Sequence, residues 1–172
     1  ILTSSAVPAD TIYQNTTNNI VYIVKMDVAT ANVSVNNIQF TLSGNHDAND
    51  LTTANVYFNA SAPVLAGASY QGNTAATFAA PHSYSLNINR TLSAATSGYF
   101  IITVNVSSTA TDNKTVRITG NTTPVTFSYT TAPNVTNGQT NVAGLQSIQA
   151  PDIVLTSSPV AAAAIFQNTT NN

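Results

Sequence analysis

SYSLNIN, residues 83–89, sets Tyr84, Leu86 and Ile88 on one side of an extended chain and Ser83, Ser85, Asn87 and Asn89 on the other. Strand side chains alternate with a period of two, so the stretch reads as a strand with one buried and one wet face. PVTFSYT (124–130) repeats the pattern through Val125, Phe127 and Tyr129. Helical spacing is absent nearly everywhere. Further β-branched and aromatic runs extend the reading: IVYIVKMDV (20–28), VSVNNIQFTL (33–42), ANVYFNA (54–60), GYFIITVNV (98–106) and TVRIT (115–119). DIVLTSS (152–158) and its counterpart near the N-terminus complete the set.

One run carries an internal conflict. Val33 and Val35 lie on one parity, whereas Ile38, Phe40 and Leu42 lie on the other. A β-bulge or tight turn at Asn36-Asn37 would return all five to the same face. Short strands separated by turn signals predict an all-β fold, an antiparallel Ig-like β-sandwich of about eight strands. The Ala-rich stretch 160–164 is the one helix-like candidate. Its counterpart VPADT contains Pro, which favours extended structure there as well.

The chain of 172 residues is 43% apolar, enough for one sizeable core, but only 6% charged, against about a quarter in ordinary domains. It has no Glu, and 22 Asn, 27 Thr and 16 Ser supply most of its polarity. Amides and hydroxyls, not ions, must solvate this surface. With a net charge of −2 and four scattered cations (Lys25, Arg90, Lys114, Arg117), it lacks the clustered basic face that nucleic acid requires. No apolar run approaches the ~20 residues of a membrane span. The absence of Cys removes disulfides, thiolate metal sites and thiol nucleophiles.

The two ends of the chain repeat one another. Residues 2–19 read LTSSAVPADTIYQNTTNN and residues 155–172 read LTSSPVAAAAIFQNTTNN, an ungapped match at a 153-residue offset. Leu, Val, Ile and Gln are among the identities, so Asn- and Thr-rich composition does not account for it. A period this long fits a string of whole domains and not a solenoid. The expected organisation is a β-sandwich repeat unit at 1–130, a linker or long turn at 131–146, and the opening strands of the next unit at 147–172. The turn signals of TAPNVTNGQTNVAG (131–144) support the middle assignment. Residues 1–20 carry no signal-peptide pattern, and the chain is expected to be a piece of a longer tandem-repeat protein.

Four stretches, QNTTNNIVYIVKMDV (14–28), VNNIQFTLSG (35–44), NDLTTANVYFNAS (49–61) and LSAATSGYFIITVNVSSTATDNKTVRI (92–118), resemble a β-sandwich domain of secreted Bacteroidota proteins. That domain is associated with BNR-repeat neuraminidase-like proteins and occurs in long surface arrays. Asp50-Leu51, Val56-Tyr57 and Gly98-Tyr99-Phe100 match its pattern, while its usual Trp is absent. The resemblance covers a little over half the chain. It implies export to the cell surface, through the secretion route of gliding bacteria, and a role like that of giant repeat adhesins or fibre and hook proteins. It transfers no catalytic residue.

Few residues offer chemistry. The acids are Asp10, Asp27, Asp47, Asp50, Asp112 and Asp152, and the histidines His46 and His82. A glycosidase would need two carboxylates across a cleft, for which Asp27 with Asp50 or Asp112 is the available choice. No enzyme is expected. GNHDAND (44–50) is the one dense polar cluster: Asp47, Asn49 and Asp50 offer oxygen ligands for Ca²⁺, without a bidentate Glu, and would equally cap a turn. Tyr57, Tyr70, Tyr84 and Tyr99 would stack on sugars if exposed, or pack in the core. Lys25 is a candidate for an isopeptide bond to an Asn, or simply a half-buried strand Lys.

Asn-x-Ser/Thr occurs at Asn15, Asn32, Asn59, Asn89, Asn105, Asn113, Asn121, Asn134 and Asn168. Composition alone yields about five or six such matches. Asp10-Thr11-Ile12 resembles a Bacteroidota O-glycosylation acceptor and is missing from the second copy. Regular Thr-x-Thr ladders for ice binding are absent. The expected function is structural or adhesive: a repeat of an extracellular bacterial surface filament, secreted, whose partners are adjacent repeats and identical chains. The alternative is an ancillary carbohydrate-binding module that recognises cell-surface glycans. Without cofactors beyond that Ca²⁺, it would act by repetition and self-assembly.

Overall fold

The computed structural model describes residues 1–131, 133–141 and 143–159. Among these the chain forms twelve strands and no helix: β1 (Leu2–Ser5), β2 (Asp10–Tyr13), β3 (Asn19–Val28), β4 (Val33–Gly44), β5 (Leu51–Asn59), β6 (Ser69–Ala75), β7 (His82–Leu92), β8 (Thr96–Val106), β9 (Thr115–Thr119), β10 (Val125–Tyr129), β11 (Asn137–Gly138) and β12 (Gln146–Gln149). One sheet runs β11-β1-β3-β8-β5-β6. The other runs β10-β4-β9-β12-β2, with β7 along the remaining edge of β4. Side chains from both sheets form one core, among them Tyr22, Val24, Ile38, Leu42, Phe100 and Ile118.

The all-β reading stands, but two of its details need correction. The sheets are mixed, not purely antiparallel, and twelve strands replace about eight. Parallel pairing arises because the N-terminal segment runs beside the C-terminal one along its whole length. β1 pairs in parallel with β11, Val7 bridges Ala143, and β2 pairs in parallel with β12. The segment thereby switches sheets between Ser5 and Asp10. The added strands were hard to see in the sequence: β6 is the polar, half-exposed edge SYQGNTA, and β11 and β12 are two and four residues long.

The parity conflict in β4 is resolved by a bulge. Register slips between Val35 and Asn37 against β7, and β10 slips at the same level, with Tyr129 opposite Val35. Asn36 points to solvent, and Val35 and Ile38 are both buried. β8 is buried on both faces: Phe100, Ile102 and Val104 face the main core. Ile101 joins Val7 and Ile23 in a second cluster that Tyr57, Leu65 and Ala68 cover from outside.

The two ends of the molecule can be told apart by register. At the proximal end, Leu2 lies opposite Met26, and Met26 opposite Gly98. At the distal end Gln149 lies opposite Tyr13, and the Val106 amide donates to the Thr16 carbonyl. From Gly98 to Val106 is about 26 Å at strand rise. Residues 2 and 149 therefore lie at opposite ends.

Segment 131–146, expected as a linker or long turn, is from Thr136 onward sewn along the N-terminal segment, and Ser147–Gln149 sit in the same sheet as β2. The predicted strand 152–158 makes no ladder pair among the described residues. The place of its counterpart is filled by Leu2–Ser5, so Ile153, Val154 and Leu155 are left 82%, 82% and 92% exposed. The Ala-rich stretch 160–164 and the rest of the second copy, through Asn172, lie outside the described residues.

Candidate functional site

The loop 44–50 folds as a structural knot. Asp50 is buried, and its carboxylate accepts from the backbone amides of Asp47 (2.6 Å) and Thr111 (2.6 Å). Its carbonyl accepts from the Ser107 amide, so the β4–β5 and β8–β9 connections are tied together. Asp47 turns outward to pair with Lys114 at 2.9 Å, and Asn49 is exposed. Asn45 accepts from both the amide and the hydroxyl of Thr115. The three residues proposed for Ca²⁺ thus share a loop but are engaged separately, two of them by protein groups. Among the described residues no group of three His or acidic side chains is placed to hold a metal. Beside the knot, His46 is 1% exposed, with Nδ1 3.4 Å from the Thr115 carbonyl, and burial holds its imidazole below the usual 6.5.

The carboxylates do not converge on a cleft. Asp27 stands opposite Ser97 at the proximal end, whereas Asp50 and the Thr111-Asp112 turn are distal. Strand rise puts about 30 Å between them, far beyond the ~5–9.5 Å of glycosidase pairs. Asp112 accepts from Asn113 and from the Ala150 amide. Asp10 and Asp152 are exposed. Lys25 pairs with Asp27 at 2.7 Å, an interaction that raises its pKa, and it faces Thr3 and Tyr99 across the sheet. No Asn stands opposite it for isopeptide chemistry. A proximal cleft of about 460 Å³ is lined by Leu2, Met26, Val33 and Tyr129, with Asp27 as its acid.

The tyrosines do not form a platform. Tyr84 is buried and stacked on Phe40, and Tyr99 packs into the second cluster. Tyr57 donates to Asn18 and meets Tyr70 edge-on at 5.5 Å; only Tyr70 of the four is mostly exposed. The Asn-x-Ser/Thr residues divide by burial. Asn59 is buried and organises loop 59–66 through four hydrogen bonds. Half-buried Asn105 accepts from the Asn18 amide and from Asn55. Asn15, Asn32, Asn89, Asn113, Asn121 and Asn134 are exposed, and Asn168 lies outside the described residues.

The feature that composition did not reveal is the parallel seam at the N-terminal segment. Leu2, Val7 and Ile12 are its buried side chains. Ser4 bonds the Tyr22 hydroxyl and accepts from the Thr140 amide, and Tyr22 in turn donates to the Thr140 carbonyl. The Gly144 amide donates to the Val7 carbonyl at 2.7 Å, and Gln146 donates to the Pro8 carbonyl. A Cβ on Gly144 would come within 2.1 Å of the Ala9 nitrogen, so the seam closes only around glycine.

The turn after β2, QNTTNN, ends the seam. Gln14 donates to the Ala110 carbonyl, Asn15 and Asn18 take positive φ, and Asn19 donates to the Val104 carbonyl. Asn and Asp tolerate the left-handed region better than other side chains, which accounts for this Asn-rich composition.

The chain matches no protein-family model and no curated protein sequence. No helix among the described residues is long and apolar enough to cross a membrane.

Proposed function

We propose that this sandwich is a structural or adhesive repeat of an extracellular bacterial filament, secreted and working by repetition and not by catalysis. The observation that carries the reading is the in-line path of the chain: Leu2 lies at the proximal end and Gln149 at the distal end, and the sequence of the start returns 153 residues later. Units so connected add length with each repeat. The weakly charged, hydroxyl- and amide-rich surface suits contact with like surfaces, since a net charge of −2 sets up little repulsion between copies. An Ig-like description of each unit is supported by the sheet-switching first strand, whose second half runs beside the last strand. The Bacteroidota surface-domain resemblance supplies the cellular setting.

Electron microscopy of native material is the test. Filaments with a regular domain-sized beading along their length are expected. Dispersed single domains, or tight binding of a soluble sugar by monomers, would overturn the reading.

A further inference from the structure

The second copy of the N-terminal sequence has kept the side chains that the seam needs. Leu2, Val7 and Ile12 are the buried residues of the first copy, and Leu155, Val160 and Ile165 stand at the same places in the second. Ser4, which bonds Tyr22 and Thr140, is matched by Ser157, and Gln14 by Gln167. The whole turn QNTTNN, with its positive-φ Asn15 and Asn18, returns unchanged at 167–172. The differences fall elsewhere. Ala6, Pro8, Asp10 and Tyr13 are exposed and Thr11 is half-exposed, and these are the positions that became Pro159, Ala161, Ala163, Phe166 and Ala164. Drift confined to solvent-facing positions marks a segment still shaped for the same environment.

That environment is not available to it within its own sandwich. Leu155 would have to reach the place of Leu2, about 26 Å along β8 from the distal end. Six residues from Gln149 extend at most ~22 Å. The structure accordingly leaves Ile153, Val154 and Leu155 almost fully exposed, an apolar run that no described residue covers.

We propose that residues 155–172 are a second β1–β2 strand pair whose place is the seam of a neighbouring copy of this chain, between β3, β11 and β12, so that copies join head to tail by strand exchange. The proposal rests on the filament reading and names its joint. A neighbour's segment would meet the same partners as the resident one. The resident strand holds the advantage of being tethered, so exchange is expected at high concentration or when that strand is weakened.

Cross-linking tests this, because the chain has no cysteine of its own. Thr3 lies opposite Lys25, and Thr156 is the counterpart of Thr3. Directly opposed strand residues fall within disulfide reach. The chain carrying Lys25→Cys and Thr156→Cys, refolded from denaturant and oxidised, should give a ladder of dimers and trimers on a non-reducing gel that grows with protein concentration. Adding Val7→Asp and Ile12→Asp should make the ladder dominant. Adding Val160→Asp and Ile165→Asp to that chain should reduce it roughly tenfold or more, because a buried unpaired carboxylate is not tolerated.

A chain with native β1 and β2 that stays monomeric at every concentration overturns the proposal, even if the Asp variants fail to fold. A ladder unaffected by Val160→Asp and Ile165→Asp overturns it too. Native filaments without a ladder would remove strand exchange and leave the filament reading intact. A ladder without native filaments would do the reverse.

Discussion

His46 shows how one buried side chain gives this weakly charged protein a pH response. Its imidazole is sealed behind the 44–50 loop, and burial, which disfavours the charged form, outweighs the pull of the Thr115 carbonyl and of Asp50 and Asp47. The folded-state pKa lies below that of the unfolded chain, so the unfolded chain binds the proton more readily. Stability from this residue is complete above pH 6.5 and is lost as pH falls below it, at up to about 1.4 kcal/mol per pH unit. The melting temperature is expected to drop by a few degrees between pH 7 and pH 5, and His46→Gln should remove most of that drop; thermal scans by circular dichroism across the two buffers would check it. The sequence offered His46 only as one of the chain's two histidines, placed in a polar loop. Burial came from the Asp50 hydrogen bonds to Asp47 and Thr111, which join loops 61 residues apart and leave no local signal.

The bulge in β4 was legible in the sequence because alternation is a local property. Val33 and Val35 against Ile38, Phe40 and Leu42 cannot share a face unless one residue is looped out, and Asn36, skipped in the pairing with β10, is that residue. Deleting Asn36 should turn buried Val35 outward and Ser34 inward, at a cost of roughly 3–5 kcal/mol. Asn36→Ala keeps the bulge and should stay within about 0.5 kcal/mol of wild type. Urea titrations of the two variants would separate them, and equal destabilisation would mean the bulge is not what restores register. Other elements were less legible. β6 has no apolar alternation, since it lies at an exposed edge. The apolar run in β8 did not show which of its faces would be covered, because the outer cover comes from Leu65 and Ala68 of a distant loop.

At the scale of the whole molecule, stability is expected to be nearly indifferent to salt. Two ion pairs, Lys25–Asp27 and Lys114–Asp47, occur among the described residues, both partly exposed and screened by solvent, so that each adds little to stability. Raising NaCl from 10 to 300 mM should move the melting temperature by no more than about 2 °C; a larger fall in differential scanning calorimetry would show that charge matters more than the surface suggests. What holds the sandwich together is apolar burial between sheets and the hydrogen-bonded amide and hydroxyl network around it.

The all-β class, most long strands, the bulge and the 153-residue repeat were readable from the residues alone, because strand alternation and self-similarity are written along the chain. It took the folded chain to reveal that the N-terminal segment runs parallel to strands within residues 137–149, that the candidate acids and tyrosines stand apart, and that the repeat preserves buried side chains in particular. These depend on which distant segments meet, and pairing across more than a hundred residues is set by the packing of the whole sandwich and not by any stretch within it.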